Sequence, residues 1–98
     1  MVRYVILLNF TDQGIRNVKQ TIERAKAFRS MAEKSGATLK DLYWTQGPYD
    51  LVATMEVPDE QTGMSLLLGL GSLGNVRSQT LRAFTAEEMN PILAKMPK

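Results

Sequence analysis

The sequence contains no cysteine and no histidine. Without cysteine the chain cannot hold a disulfide, an iron–sulfur cluster or a thiolate nucleophile. Without histidine it lacks the side chain that titrates near neutral pH, the usual base beside a catalytic serine and the commonest transition-metal ligand. These absences exclude most familiar catalytic sites, and we expect no cofactor.

Long hydrophobic runs are also missing. The longest apolar run, residues 5–8, is far shorter than the roughly 20 residues that cross a bilayer. The N-terminus has no basic segment followed by a long apolar stretch and a cleavage site, so no secretion signal is predicted. We therefore expect a cytoplasmic protein that does not bind membranes, folded as a single domain over residues 1–98.

The charges are nearly balanced, with 12 basic and 10 acidic residues and a net charge of +2. Such a balance gives no indication of nucleic-acid binding. Residues 15–35 carry a net +4, however, and residues 41–76 contain five acids and no base. These segments could steer two copies of the chain together, but solvated faces are the simpler interpretation.

The first half of the chain predicts a strand followed by a helix. Residues 2–10 are apolar at both odd and even positions, which is typical of a strand buried on both faces. Thr11 or Asp12 can cap a helix. The helical period then runs from Ile15 to a stop at Gly36, with one apolar stripe formed by Ile15, Val18, Ile22, Ala25, Phe28 and Ala32.

Residues 37–46 and 50–57 predict a β-hairpin around Gly47, Pro48 and Tyr49. If the loop holds an even number of residues, Thr45 opposes Asp50 and directly opposed residues share a face, whereas an odd loop would swap the faces of one strand. We develop the even case. The face under the helices then carries Leu42, Trp44, Leu51, Ala53 and Met55. The other face carries Asp41, Tyr43, Thr45, Asp50, Val52, Thr54 and Glu56.

A second helix is predicted from a cap at Asp59 to Gly74, with Gly63, Gly69 and Gly71 kept for close backbone packing. Residues 75–85 predict a fourth strand, and residues 86–96 a terminal helix with Pro91 near its start. Thr85 and the residue three positions later fit a capping box.

The predicted order is β-α-β-β-α-β with a short C-terminal helix, an α+β ferredoxin-like arrangement with an antiparallel sheet. Both helices of that topology cover one side of the sheet, whereas the first strand is apolar on both sides. A second copy of the chain is the economical cover for the other side, so we expect a homodimer or a higher homo-oligomer.

Two motifs suggest sites that their context does not support. Residues 69–74 read G-x-G-x-x-G, but they follow a leucine-rich helix and precede a strand, the reverse of a dinucleotide-binding turn. The carboxylates of residues 41–60 lack the spacing of a metal-binding loop, so no metal site is predicted.

The segment Gly47-Pro48-Tyr49-Asp50 carries a family resemblance. Together with residues 11–14, 42–45, 51–53, 74–77 and 81–85, it resembles the GYD-domain family. The hairpin is more distantly similar to effector-binding domains of leucine-responsive regulators, and the whole chain to dimeric α/β-barrel proteins. These relatives imply a homodimer with a small-molecule cavity. The chain lacks the regulators' DNA-binding helix-turn-helix and any histidine for a haem.

Our leading hypothesis is a homo-oligomeric domain that binds a small molecule or metabolite. The expected contacts are polar side chains of the mixed sheet face and its surroundings: Tyr43, Thr45, Tyr49, Asp50, Thr54, Glu56 and Arg82. One alternative is a cofactor-independent oxygenase or isomerase that uses tyrosine or carboxylate groups, which requires a carboxylate of raised pKa in a closed cavity. The other is a purely structural oligomerisation module. The residues leave open whether the protein is an enzyme.

Overall fold

A computed structural model describes all 98 residues and contains four strands and four helices. The strands are Val2–Phe10 (β1), Thr38–Trp44 (β2), Leu51–Val57 (β3) and Val76–Ala83 (β4). The helices are Asp12–Arg16 (α1), Thr21–Lys34 (α2), Glu60–Ser72 (α3) and Ala86–Ala94 (α4), with a 3-10 turn at Val18–Gln20. No helix has the length and apolar content needed to cross a membrane.

The strands form one antiparallel sheet in the order β2-β3-β1-β4. Helices α1 and α2 connect β1 to β2, and α3 connects β3 to β4, so β1 lies between β3 and β4 in the sheet. This topology confirms the predicted ferredoxin-like arrangement.

The core lies between one face of the sheet and helices α2 and α3. Tyr4, Ile6 and Leu8 of β1 are buried there, together with alternate residues of β3 that include the fully buried Met55 and Val57. Burying a side chain of this size contributes about 1.5–3 kcal/mol. The intervening residues of β1 are only half-buried on the opposite face, so the sheet is covered on one side alone.

The hairpin register is as predicted. Trp44 pairs with Leu51 and Tyr43 with Val52, and the amide of Thr45 donates to the carbonyl of Asp50 at 2.8 Å. Gly47 has a φ of +106°, which a residue with a side chain rarely adopts. One feature was not predicted: the register skips Lys40, which forms a bulge in β2.

The continuous helix predicted from Ile15 is wrong. The helical segment starts at Asp12 with Thr11 as its cap, breaks after Arg16, and resumes at Thr21. The break lies at Asn17, whose φ of −107° and ψ of 28° depart from the helical values. Within α1 the backbone of Gly14 packs so closely on Asn75 that an added Cβ would lie 1.9 Å from the Asn75 carbonyl oxygen. The predicted apolar stripe is only partly buried, and Ile15 and Ile22 are exposed.

Two smaller predictions in the second half of the chain are corrected. Gly63 does pack closely, since a Cβ there would lie 2.6 Å from the Tyr4 ring, but Gly69 and Gly71 face open space. Pro91 lies in the middle of α4 rather than near its start. The cap at Asp59 and the capping box of Thr85 and Glu88 are confirmed.

Candidate functional site

The sheet surface turned away from α2 and α3, here called the open face, holds most of the polar residues proposed as ligand contacts. Strand pairing places alternate residues of all four strands on it: Arg3, Val5, Leu7, Asn9, Asp41, Tyr43, Val52, Thr54, Glu56, Arg77, Gln79, Leu81 and Ala83. Apolar and charged side chains alternate across it, so the face is mixed as predicted.

Glu56 is the centre of a charged cluster at one end of the open face. Its carboxylate accepts from the Arg3 guanidinium on β1 and lies 3.4 Å from the Lys40 ammonium at the β2 bulge. Partial burial by itself would raise the pKa of Glu56, but the hydrogen bonds and charges of Arg3 and Lys40 outweigh it and hold that pKa below its usual value. Glu56 is therefore an ionised partner of two cations.

The cluster extends to the terminal helix. Glu88 lies 3.8 Å from the Arg3 guanidinium, and this contact places the start of α4 on the open-face side of the sheet. The backbone amide of Thr85 donates to the Glu88 carboxylate at 2.8 Å, which is the largest of the effects that lower the pKa of Glu88. The apolar residues of α4 remain exposed beyond it, namely Met89, Ile92 and Leu93.

Two proposed contacts lie in the middle of the open face. Thr54 donates its hydroxyl to the Asp41 carboxylate at 2.8 Å, across β2 and β3. Tyr43 is 64% exposed, and its ring stands on the sheet without a hydrogen-bond partner. A tyrosine so placed offers an aromatic surface and a free hydroxyl.

The hairpin loop positions three more proposed residues. The hydroxyl of Thr45 donates to the carbonyl of Tyr49 at 2.6 Å and closes the loop. The hydroxyl of Tyr49 reaches β4, where it donates to Gln79 at 3.3 Å. Asp50 accepts from the backbone amide of Phe10 at 2.8 Å, so this carboxylate joins the hairpin to the end of β1.

Arg82 stands apart from the other six. Its register partner is Tyr4, which belongs to the helix-covered side of the sheet. The guanidinium donates to the carbonyl of Ala83 at 2.5 Å and lies 4.4 Å from the centre of the Phe84 ring.

The seven residues thus form no single pocket. Asp50 and Glu56 lie at opposite ends of β3, six residues and about 20 Å apart along the strand. Tyr43, Tyr49, Thr54 and Glu56 share the open face, whereas Thr45 and Asp50 fasten the hairpin loop. No three acidic side chains converge on a point that could hold a metal ion.

An apolar groove lies on the other side of the sheet and was not predicted. A groove of about 240 Å³ runs between α2, α3 and the sheet, and 13 of its 16 lining residues are hydrophobic. Ala25 on α2 faces the groove, as does Ala53 on β3. Two small side chains on surfaces that pack together leave room between them, and this was the sequence signal that could have indicated the groove.

Three polar residues lie at the edge of the groove. Thr21 accepts a hydrogen bond from the Trp44 indole at 3.0 Å, which connects the start of α2 to the end of β2. Arg24 donates to the carbonyls of Asn17 and Gly14 at 2.9 and 3.2 Å. Asn75 completes the edge where β4 begins.

Known proteins provide three informative comparisons. A curated Thermus thermophilus protein described as a glutamine synthetase and cystathionine beta-lyase binding protein is 30% identical over 90 residues, which is 91% of this chain and 95% of that protein. A crystal structure of a protein from the same organism is 27% identical with a TM-score of 0.54, covering 88% of this chain and 96% of that one.

The third comparison is with the Mycobacterium tuberculosis leucine response regulatory protein. Its structure has a TM-score of 0.60 at 15% identity and covers 87% of this chain. This chain spans only about half of the regulator, 51% of its length, so the likeness concerns the fold of one part of it.

The family model described as the GYD domain matches residues 4–93. The match includes the hairpin turn with Gly47, Tyr49 and Asp50. It also covers β2, β3 and β4, all but the first two residues of β1 and all but the last residue of α4. The chain belongs to the GYD domain family.

Proposed function

We propose that this protein is a homo-oligomeric binding protein that takes up a small, largely apolar molecule and performs no bond chemistry of its own. The observation that supports it best is the groove between α2, α3 and the sheet. The groove is open to solvent along α2, where the lining residue Met31 is 43% exposed, so an apolar molecule could enter it. A space of about 240 Å³ against the core is therefore best explained as room for a ligand.

The carboxylates favour binding over catalysis. The alternative of a cofactor-independent enzyme needs an acid of raised pKa in a closed cavity. Glu56 has the opposite property, because Arg3 and Lys40 hold its pKa below the usual value despite partial burial. Asp50 already accepts from the Phe10 amide, and neither carboxylate lines the groove.

Homo-oligomerisation is supported by the surface that the protomer leaves uncovered. On the open face Leu81 is 51% exposed, and α4 beside it has no buried residue. We expect a second copy to cover this face, with Tyr43, Thr54 and Glu56 at the interface. An open-face contact would also account for a strand apolar on both sides.

Light scattering after size exclusion tests the oligomer. Wild type should elute as a dimer or a larger species at micromolar concentration, and Leu81→Glu should shift it towards the monomer. Leu68→Glu is the matched control, since Leu68 is 61% exposed on α3, away from the open face. A wild-type monomer would contradict this part of the proposal.

The groove can be tested with 1-octanol as an apolar probe. Trp44 is the only tryptophan, and its hydrogen bond to Thr21 places it at the groove edge, so its emission should report occupancy. Octanol should change the emission in wild type, and Ala25→Phe, which fills the groove, should abolish the change. Ser30→Phe adds the same ring to an exposed position of α2 outside the groove and should not. Equal responses from both variants would refute the assignment.

A second candidate function is binding to other proteins, favoured by the description of the Thermus thermophilus relative as a binding protein for two enzymes. The exposed apolar residues of α4 suit such a contact. Surface plasmon resonance against purified glutamine synthetase and cystathionine beta-lyase tests it. Saturable binding that Ile92→Glu weakens would support this function, and no binding to either enzyme would exclude it for this pair.

A further inference from the structure

We infer that the groove selects amphiphilic carboxylates, with the apolar part of the ligand between α2 and the sheet and its carboxylate on Arg24. This inference rests on the proposed small-molecule function and names its ligand class. Its basis is the distribution of charge in the groove wall.

Arg24 is the only charged residue among the 16 that line the groove. It makes no salt bridge, and the nearest acid in sequence, Glu23, contacts Lys26 instead at 4.0 Å. Arg24 is half-buried and has no anionic partner in the protein, so a ligand anion could form a charge-assisted hydrogen bond with it. A cationic ligand would be repelled at the same place.

The guanidinium is already positioned for this contact. Its bonds to the carbonyls of Asn17 and Gly14, at 2.9 and 3.2 Å, hold it at the end of the groove where α1 meets α2. A guanidinium has five N–H donors, so these two bonds leave donors for a carboxylate. Because both carbonyls are backbone groups, the guanidinium is held in place before any ligand arrives.

The remaining wall is suited to an unbranched or aromatic tail. From Arg24 the groove follows α2 past Phe28 to Met31, a distance of about 10 Å along the helix axis. Leu39 and Leu42 of β2 form the sheet side of this path. A ligand with a carboxylate at one end would therefore place this group on Arg24 and its hydrocarbon body against the apolar wall.

The experiment compares octanoate with 1-octanol, which has the same chain length and no charge, by titrating Trp44 emission. We expect octanoate to bind at least about tenfold more tightly, since hydrogen bonds between charged groups are the strong ones. Arg24→Gln should bring octanoate and octanol to equal affinity, whereas Arg24→Lys should retain part of the preference for octanoate. Arg29→Gln, which removes an equal charge from an exposed position of α2, is the matched control.

The failures can be distinguished. If both compounds bind equally, or if Arg24→Gln keeps the octanoate preference, the carboxylate assignment is wrong and the proposed function stands. If neither compound binds, the small-molecule function itself fails, and this inference with it.

Discussion

Gly14→Ala should destabilise this protein strongly although alanine is the better helix former. The new Cβ would lie 1.9 Å from the carbonyl oxygen of Asn75 and 2.8 Å from its carbonyl carbon. Both are backbone atoms, so no side chain can rotate away. Relief requires α1 to separate from the start of β4, which also stretches the 3.1 Å hydrogen bond from the Thr11 amide to the same oxygen.

The magnitude follows from these contacts. Overpacking costs about 1–3 kcal/mol, and the lost hydrogen bond about 1 kcal/mol. The gain in helix propensity returns up to about 1 kcal/mol. The net loss for Gly14→Ala is then about 1–3 kcal/mol, which corresponds to a fall in Tm of about 5–20 °C for a domain of this size.

Urea unfolding followed by circular dichroism measures the free energy of unfolding, with Gly69→Ala as the matched control. Gly69 lies in α3 with no atom within 4 Å of its added Cβ, so this substitution should stabilise by about 0.5–1 kcal/mol. The two substitutions should differ in sign. A Gly14→Ala protein as stable as wild type would show that the contact with Asn75 is not what requires glycine.

Three further outcomes are expected. Glu56→Gln should lower the free energy of unfolding at pH 7. Because the pKa of Glu56 in the folded protein lies below its usual value of 4.5, the stability difference from wild type should shrink as the pH falls below about 4.5. Urea titrations at several pH values measure this difference, and a pH-independent difference would contradict the ion pairs of Glu56. Met55→Ala should cost about 2–5 kcal/mol in urea unfolding, since the side chain is fully buried, and a loss under 1 kcal/mol would contradict the described core. Thr85→Ala should remove the cap of α4 and reduce helical circular dichroism at a cost of about 0.5–2 kcal/mol, whereas Thr85→Ser should not; equal signals from both variants would refute the capping role.

The sheet and its hairpin were predictable from the sequence because strand register depends on local alternation and turn chemistry. Opposing Thr45 and Asp50 was sufficient to place the residues of β2 and β3 on the right faces, apart from the bulge at Lys40. The close packing of Gly14 on Asn75 was not predictable, since these two residues lie 61 positions apart in the chain.

The candidate site residues were likewise predictable where they depend on strand alternation and unpredictable where they depend on contacts distant in sequence. Alternation placed Tyr43, Thr54 and Glu56 on one surface, but no pattern could indicate that Arg3 and Lys40 would neutralise Glu56. The groove was missed because hydrophobic periodicity tells which residues turn inward and not whether they fill the space they enclose. Ala25 and Ala53 count as core residues in such a pattern even where they leave a gap.

The position of Asp50 has a mechanical consequence. Its carboxylate holds the amide of Phe10 at 2.8 Å, and its own amide donates to the carbonyl of Leu8 at 2.9 Å, so both ends of this residue are fixed to the last stretch of chain before Thr11. Thr11 caps α1, and α1 supplies the Gly14 carbonyl that holds Arg24. The hairpin, the cap of α1 and the Arg24 guanidinium at the groove are therefore linked by one continuous series of hydrogen bonds that involve the main chain.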